Sequence, residues 1–292
     1  NSVLQRKFPS SLAAFESGLV MLKRVDVVVV GAGFAGMYLL YRLRQLGMKA
    51  EVLEMGDNVG GTWYWNRYPG ARCDAESLAY SFSFSPELEQ SWQWSERYAK
   101  QPEILSYAEH VADRFDLKKD IRFGQKVSSA VYDQGNNEWL VLTEQGHEVR
   151  GRFCIMATGC LSVPQLPAID GLSAFEGPIY QASLWPHEGV DFTGKSVGVI
   201  GTGSSAIQAI PVIAQQAQRL QVFQRTPNYS VPAENAPLDA AWLAQFKMHY
   251  REHRRFHKQG LSSGFGDLEI APVERVPVAE TAEGMSPQEV AA

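Results

Sequence analysis

Cysteine is scarce in this chain and long apolar runs are missing. The 292 residues contain three cysteines, Cys73, Cys154 and Cys160, which are too few and too unevenly spaced for a disulfide framework or a zinc site. No apolar stretch approaches the ~18 residues of a membrane helix, so no membrane partner is predicted. Residues 11–22 lack the basic start and cleavage site of a signal peptide. A cytoplasmic protein with reduced thiols is the expectation.

Positive charge is also in short supply. The chain has 27 Lys and Arg residues against 32 Asp and Glu, a net charge of -5, and no basic tract that alternates with aromatic residues. Nucleic acid is therefore not an expected partner. Apolar residues make up 45% of the sequence, enough for a large core, and the length predicts an α/β protein of two domains.

A glycine turn follows the first apolar run, residues 25–30, which is typical of a strand buried in a parallel sheet. Helical spacing then continues to Gly47, the expected C-terminal cap. In a dinucleotide site the first two glycines let the backbone approach a pyrophosphate, and the third lets helix and strand pack closely. A second strand, 50–53, ends in Glu54, placed to accept hydrogen bonds from a ribose. This turn predicts an FAD or NAD site made by Gly31, Gly33, Phe34, Ala35 and Gly36.

A second turn of the same kind lies 170 residues downstream. Its strand is 196–200, its helix starts at Ser204, and Pro211 predicts a kink or an early end of that helix. Arg225 follows the next strand, where a guanidinium suits a 2′-phosphate, so NADPH is favoured over NADH; a surface arginine on a loop is the alternative. The candidate residues of this turn are Gly201, Thr202, Gly203, Ser204 and Ser205.

The remaining segments predict further elements. Residues 60–74 form a loop rich in glycine and aromatic residues, whose rings are either cofactor contacts or plain core. A helix is expected over 102–115, and a β-meander over 137–143 and 147–156 with turns at Gly135 and Gly146. One helix over 239–258 would place His249, His253 and His257 on one face. Its many arginines favour a solvated basic face, so no metal is predicted.

Four motifs together resemble the type I Baeyer-Villiger monooxygenases, flavoenzymes that turn ketones into esters or lactones. They are residues 60–74, 157–159, 201–206 and 223–227, and the similarity runs from about residue 25 to 237, most similar to the phenylacetone and steroid monooxygenase branch. The family signature has a near match over 175–186, except that Gln181 replaces the family histidine. Glutamine cannot carry a proton charge, so slower or uncoupled turnover is the hypothesis. A Gln181→His variant with unchanged kinetics would count against it.

The resemblance implies two Rossmann-like domains, for FAD and NADPH, with the FAD domain lacking its C-terminal segment. The implied boundaries are an N-terminal arm (1–24), the FAD domain (25–160), the NADPH domain (161–232) and the start of a helical insertion with a tail (233–292). NADPH would reduce the flavin, oxygen would be carried as a C4a-peroxide, and the peroxide would attack a ketone. Catalytic roles are implied for Asp74, unless it caps a helix, and for Gln181. The implied FAD contacts are Glu54, Thr62, Trp63, Asp74, Tyr80 and Val127, and the NADPH contacts are Arg72, Thr202, Ser204, Ser205, Gln208, Arg225 and Thr226.

Both ends of the sequence suggest that it is part of a longer protein. Asn1 is not methionine, residues 262–284 have the composition of a mobile loop, and Ser286 opens a capping box that little sequence follows. The family arginine expected beside Asp74 lies downstream, so the chain's own missing C-terminal segment is an expected partner. Two alternatives stay open: an N- or S-oxygenating flavin monooxygenase or NADPH oxidase, and a non-catalytic nucleotide-binding fragment.

Overall fold

The computed structural model describes residues 23–161, 163–230 and 232–260. The expectations for the N-terminal residues 1–22, for the loop 262–284 and for the capping box at Ser286 lie outside this part of the chain. The chain divides into two compact units. The first unit comprises Asn1–Thr62 and Ala112–Ser162, and the second comprises Trp63–Val111 and Val163–Ala292.

The first unit is built on a six-stranded mixed sheet with the strand order β3-β2-β1-β6-β5-β4. Strands β1, β2, β3 and β6 are parallel, whereas β4 and β5 add to the β6 side as antiparallel strands. Valine-rich β1 lies in the middle of the sheet, and its last four residues are buried. The strands are β1 (Lys23–Val30), β2 (Ala50–Leu53), β3 (Ile121–Arg122), β4 (Val127–Asp133), β5 (Glu138–Thr143) and β6 (Glu148–Met156).

The second unit contains a two-stranded parallel sheet, β7 (Ser196–Ile200) and β8 (Arg219–Phe223). The helix between these strands packs on them through a core of Phe192, Ala209 and Ile213. The helices of the chain are α1 (Phe34–Gln45), α2 (Thr62–Trp65), α3 (Pro86–Ser91), α4 (Gln101–Arg114), α5 (Ser204–Ala214), α6 (Ala240–Met248) and α7 (Tyr250–Gly260). None of the helices in the described ranges is both long and apolar enough to span a membrane.

Both strand, turn and helix units predicted from the sequence are confirmed. Strands β2 and β7 have the predicted bounds, and α1 ends where expected, with Gly47 in a left-handed conformation (φ 71°) just beyond it. The mixed α/β fold class with Rossmann-like units is thereby established.

One local prediction was wrong. The helix expected over 239–258 is broken into α6 and α7 at His249, so the three histidines do not lie on one uninterrupted helix. Of the two outcomes expected for Pro211, an early end does not occur, because α5 continues to Ala214. The two predicted strands of the meander and the turn at Gly135 are confirmed, and β4 is a further strand that pairs with β5 across that turn.

A buried carboxylate lies in the first unit, on β2. Glu51 is 2% exposed, and its oxygens lie 2.9 Å from Arg122 Nε, 3.1 Å from Lys23 Nζ and 3.2 Å from His147 Nε2. Burial acts to raise the pKa of Glu51, but the bonds from Arg122 and Lys23 outweigh it and hold the pKa below the ordinary value. Glu51 is therefore ionised in the folded state at neutral pH.

We expect Glu51 to make folding sensitive to acid. A carboxyl whose pKa is lowered by folding stabilises the fold above its unfolded-state pKa, and this contribution is lost as the pH falls through the folded-state pKa. Urea unfolding of the wild type and Glu51→Gln at a series of pH values should give a difference in unfolding free energy that is largest near neutral pH and shrinks below the ordinary pKa of 4.5. The exposed Glu144→Gln serves as control. A difference that is independent of pH would contradict this account.

Candidate functional site

The first glycine turn, between β1 and α1, leaves no room for a side chain at its first and third glycines, Gly31 and Gly36. Gly31 has φ 104°, and its N–H donates to Leu53 O at 2.8 Å. A Cβ on Gly31 would lie 2.6 Å from Ala157 O, and a Cβ on Gly36 would lie 1.9 Å from Gly31 O. The turn therefore requires glycine for its own backbone packing, and it keeps the N-terminal end of α1 open to a ligand.

Glu54 holds this turn from the end of β2. One carboxylate oxygen accepts the Ala32 N–H at 2.6 Å, and the other accepts the Gly56 N–H at 2.8 Å. Each carboxylate oxygen has a second lone pair, so Glu54 can still accept a hydrogen bond from a ribose hydroxyl. The sequence predicted a ligand contact alone. The structure adds a role in fixing the turn.

A pair of glycines that the sequence analysis did not assign also packs against this turn. Gly60 donates its N–H to Ala32 O at 3.1 Å, and a Cβ on Gly61 would lie 2.8 Å from Gly33 Cα. Both residues have positive φ, 120° and 54°. The Gly60-Gly61 dipeptide was the available sequence signal.

The second glycine turn, between β7 and α5, repeats the backbone of the first. Gly201 has φ 102°, and its N–H donates to Phe223 O at 2.8 Å, as Gly31 donates to Leu53 O. Phe223 thus corresponds to Leu53. Gln224, the next residue, corresponds to Glu54, so an uncharged amide stands where the first turn has a carboxylate.

Gln224 and Asn228 hold Thr202 in the second turn. Gln224 donates to Thr202 Oγ1 at 2.8 Å, and Asn228 donates to the Thr202 carbonyl at 2.9 Å. Sequence reasoning did not select either residue. The sequence did contain a signal for Gln224, because it directly follows β8 as Glu54 directly follows β2. Cβ atoms on Gly201 and Gly203 would meet nothing within 4 Å, so this turn is open where the first is tight.

The candidate residues at the second turn are mostly on the surface. Ser204 and Ser205 begin α5 and are exposed, as are Arg225 and Thr226 just after β8. An exposed helix N-terminus and an exposed guanidinium are each suited to phosphate oxygens. The NADPH contacts of these residues stay a prediction.

The segment of residues 63–74, called here the aromatic loop, begins within α2 and is buried at its start. Trp63 and Tyr64 are buried, and Trp63 Nε1 donates to Tyr80 Oη at 3.0 Å with the rings edge to face. Burial raises the pKa of Tyr80, and it raises the pKa of the Cys73 thiol to about 11. Cys73 is therefore an unreactive, protonated thiol in this loop.

Asp74 ends the aromatic loop with an exposed side chain. The helix that it was alternatively expected to cap does not form, because the next residues make a turn in which Tyr80 N–H bonds to Glu76 O. The capping interpretation is wrong for that reason. Its role beside a cofactor stays a prediction.

Gln181 lies before the turn Ala182–Leu184 and donates from Nε2 to Gln165 O at 2.8 Å. Its Oε1 is buried, with no hydrogen-bond partner among the described residues. A histidine at this position would offer a different donor set and a titratable charge. The Gln181→His substitution would therefore replace the hydrogen bond from Gln181 Nε2 to Gln165 O.

The other predicted contacts are placed as follows. Thr62 begins α2, and Val127 begins β4, where it packs against the core of Val28, Leu53, Val141 and Val149. Arg72 donates to Glu96 Oε2 at 3.3 Å, while Gln208 on α5 bonds the backbone of Arg72. Within the ranges described above, no group of His, Cys, Asp or Glu is arranged to hold a metal ion.

Comparison with known proteins assigns the family. Residues 28–275 match the family described as pyridine nucleotide-disulphide oxidoreductase. The chain belongs to this family. It is 43% identical over 226 residues to a Baeyer-Villiger monooxygenase of Pseudooceanicola batsensis, covering 77% of this chain and 41% of that protein. It is also 41% identical over 228 residues to phenazine N-monooxygenase PhzNO1 of Lysobacter antibioticus, covering 78% and 42%.

Solved structures agree with this assignment. A steroid monooxygenase bound to NADP has 59% sequence identity and a TM-score of 0.78, covering 81% of this chain and 45% of that one. OTEMO in complex with FAD and NADP has 43% identity and a TM-score of 0.77, covering 80% and 45%. The resemblance to Baeyer-Villiger monooxygenases and the steroid monooxygenase branch is confirmed. The chain spans less than half the length of these relatives.

Proposed function

We propose that this chain carries the two nucleotide sites of a flavin-dependent monooxygenase that uses NADPH and O2 to insert oxygen beside a ketone carbonyl, giving an ester or lactone. One observation supports it above all. Two glycine turns share one backbone geometry, but Glu54 follows the first and Gln224 with Arg225 the second. The pair suits two different nucleotides, one with a free ribose and one with a 2′-phosphate.

The first turn fits the pyrophosphate half of FAD. Its glycines exclude side chains from the end of α1, so backbone N–H groups are available to phosphate oxygens. Glu54 accepts from a ribose hydroxyl while it holds the turn. Trp63 and Tyr80, which share a hydrogen bond, are further FAD contacts proposed by resemblance. A bound flavin would supply hydride acceptance and oxygen activation.

The second turn fits NADPH. Ser204 and Ser205 offer hydroxyls at the start of α5, and Arg225 and Thr226 follow β8 where the 2′-phosphate would lie. Arg72 completes the proposed set of direct contacts. The side-chain amide of Gln208, which the resemblance also implied as an NADPH contact, bonds Tyr68 and Arg72 instead. The remaining FAD contacts proposed by resemblance are Thr62, Asp74 and Val127, and the proposed domains are residues 25–160 for FAD and 161–232 for NADPH, followed by the start of a helical insertion.

We expect Arg225→Ala to weaken NADP+ binding by about 10- to 100-fold, because a charge-assisted hydrogen bond contributes about 1.5–3 kcal/mol. NAD+ lacks the 2′-phosphate, so the Kd for NAD+ should change by less than about threefold in the same variant. Titration calorimetry with both nucleotides measures this. Arg219→Ala, at the opposite end of β8, is the matched control. Equal losses for NADP+ and NAD+ would contradict the assignment.

Partners and location follow as further inferences. The exposed Ile200 and Phe223, at the ends of β7 and β8, present an apolar surface that suits packing against further polypeptide of the same protein. A small ketone and O2 are the proposed substrates. Three cysteines that form no disulfide support a cytoplasmic location.

A second candidate is oxygenation of nitrogen, favoured by the similarity to the phenazine N-monooxygenase. Product analysis after aerobic incubation with FAD, NADPH and either cyclic ketones or phenazines separates the possibilities. Lactone formation supports the proposal, and N-oxide formation supports the second candidate. Hydrogen peroxide alone would indicate an oxidase, and no NADPH consumption would indicate a chain that only binds nucleotides.

A further inference from the structure

The aromatic loop touches α5 with its backbone in the second unit. Gly70 has φ 76°, and a Cβ on it would lie 2.3 Å from Gln208 O and 3.1 Å from Val212 Cγ2. A residue with a side chain at position 70 would therefore collide with the helix backbone, as well as being strained by its positive φ. The loop is held directly against the helix that the second glycine turn begins.

Gln208 bonds the loop from both ends of its side-chain amide. Its Oε1 accepts from Tyr68 Oη at 3.0 Å and from the Arg72 N–H at 3.2 Å, and its Nε2 donates to Arg72 O at 3.2 Å. Both lone pairs of Oε1 and one of the two N–H groups of Nε2 are thus already used. Little of this amide is left for direct contact with a nucleotide.

The position of Gln208 along α5 places these bonds close to the N-terminal end of the helix. It lies one helical turn after Ser204, the first residue of the helix. A pyrophosphate bound at the helix N-terminus would fix the first turn, and the backbone hydrogen bonds of the helix would fix Gln208 with it. The same amide holds the backbone at Arg72, two residues before Asp74.

We propose that Gln208 is a positioning residue that links nucleotide binding at the second glycine turn to the order of the aromatic loop. The proposal rests on the assignment of NADPH to that turn. When NADP+ binds, α5 is fixed, and the loop with Arg72 and Asp74 is fixed through the Gln208 amide. Gln208 then acts on the reaction through the loop, not through its own contact with the nucleotide.

Amide hydrogen exchange of the full chain, with and without NADP+, tests the proposal. In the wild type, NADP+ should slow exchange of the Arg72 amide by about fivefold, since one such bond contributes about 1 kcal/mol. Gln208→Met keeps the side-chain length and removes the bonds. Its Arg72 amide should exchange about fivefold faster and no longer respond to NADP+, while the Kd for NADP+ changes by less than about threefold.

Two further variants separate positioning from general loss of structure. Gln208→Glu keeps the oxygen that accepts the Arg72 N–H, so it should restore much of the protection that Gln208→Met loses. Gln215→Met makes the same change on the exposed residue that follows α5 and should behave as wild type.

Three outcomes would overturn the proposal. Unchanged Arg72 exchange in Gln208→Met would show that the amide does not hold the loop. A Kd for NADP+ raised by about 30-fold or more, with the loop still responding, would make Gln208 a ligand contact. A wild-type loop that ignores bound NADP+ would refute the link and leave the proposed function intact, whereas a wild type that binds no NADP+ would refute both.

Discussion

Gly36→Ala is expected to destabilise the first unit by about 3 kcal/mol, the upper end of the cost of overpacking, and to abolish retention of FAD. The added Cβ would lie 1.9 Å from Gly31 O, and that oxygen belongs to the backbone of the turn itself. The collision can be relieved only by moving α1 away from β1, which opens the place where the pyrophosphate would bind. Urea unfolding measures the first effect, and flavin content after gel filtration measures the second.

Gly203→Ala makes the same change in the second turn and serves as the control, although by position Gly203 corresponds to Gly33 and Gly36 to Ala206. Its Cβ would meet nothing within 4 Å, and its φ of -71° suits alanine. Stability should change by less than about 0.5 kcal/mol, while NADP+ affinity falls because the methyl group crowds the ligand. A Gly36→Ala variant that is as stable as Gly203→Ala would show that the first turn is not closed by its own backbone.

Arg254→Ala should cost the second unit about 3–5 kcal/mol of unfolding free energy, because it leaves a buried carboxylate without its partner. Arg254 Nε donates to Glu89 Oε1 at 2.6 Å, and the Glu89 side chain is 4% exposed. The guanidinium also donates to Ser81 Oγ at 2.7 Å and lies over the Tyr250 ring at 4.8 Å. Denaturation followed by tryptophan fluorescence provides the measurement.

Two comparisons establish the cause of this loss. Lys126→Ala breaks an ion pair with Glu144 in which both side chains are about half exposed, and it should cost less than about 1 kcal/mol. The double variant Glu89→Leu with Arg254→Met removes both charges and should recover most of the stability. A loss below about 1 kcal/mol in Arg254→Ala would mean that water or another group compensates Glu89.

The parts of the fold that could be predicted depend on residues that are close together in the sequence. Residues 25–30 and 196–200 are short apolar runs followed at once by glycine turns, so strand, turn and helix could be placed within a few residues. The resemblance to Baeyer-Villiger monooxygenases could be predicted from motifs at fixed spacings around the same turns, and the comparison with known proteins confirms it. These features depend on neighbours in sequence.

The parts that could not be predicted depend on contacts between distant residues. The helix over 239–258 has no proline or glycine to break it, yet it divides at His249, where Lys247 bonds the carbonyls of Gln90 and Trp92 and Tyr250 bonds that of Leu78. Likewise, the bond of Glu54 to the Ala32 N–H and the three bonds of Gln208 join elements far apart in the chain. No local pattern encodes them.

The most direct test of two different nucleotide sites is hydride transfer between them. The chain is loaded with FAD, freed of unbound flavin, and mixed without oxygen with NADPH or NADH while the visible absorbance of the flavin is recorded. We predict retained flavin that bleaches with NADPH and more slowly with NADH, and that regains its absorbance in air. A chain that retains no flavin, or whose bound flavin does not bleach with NADPH, would contradict the account.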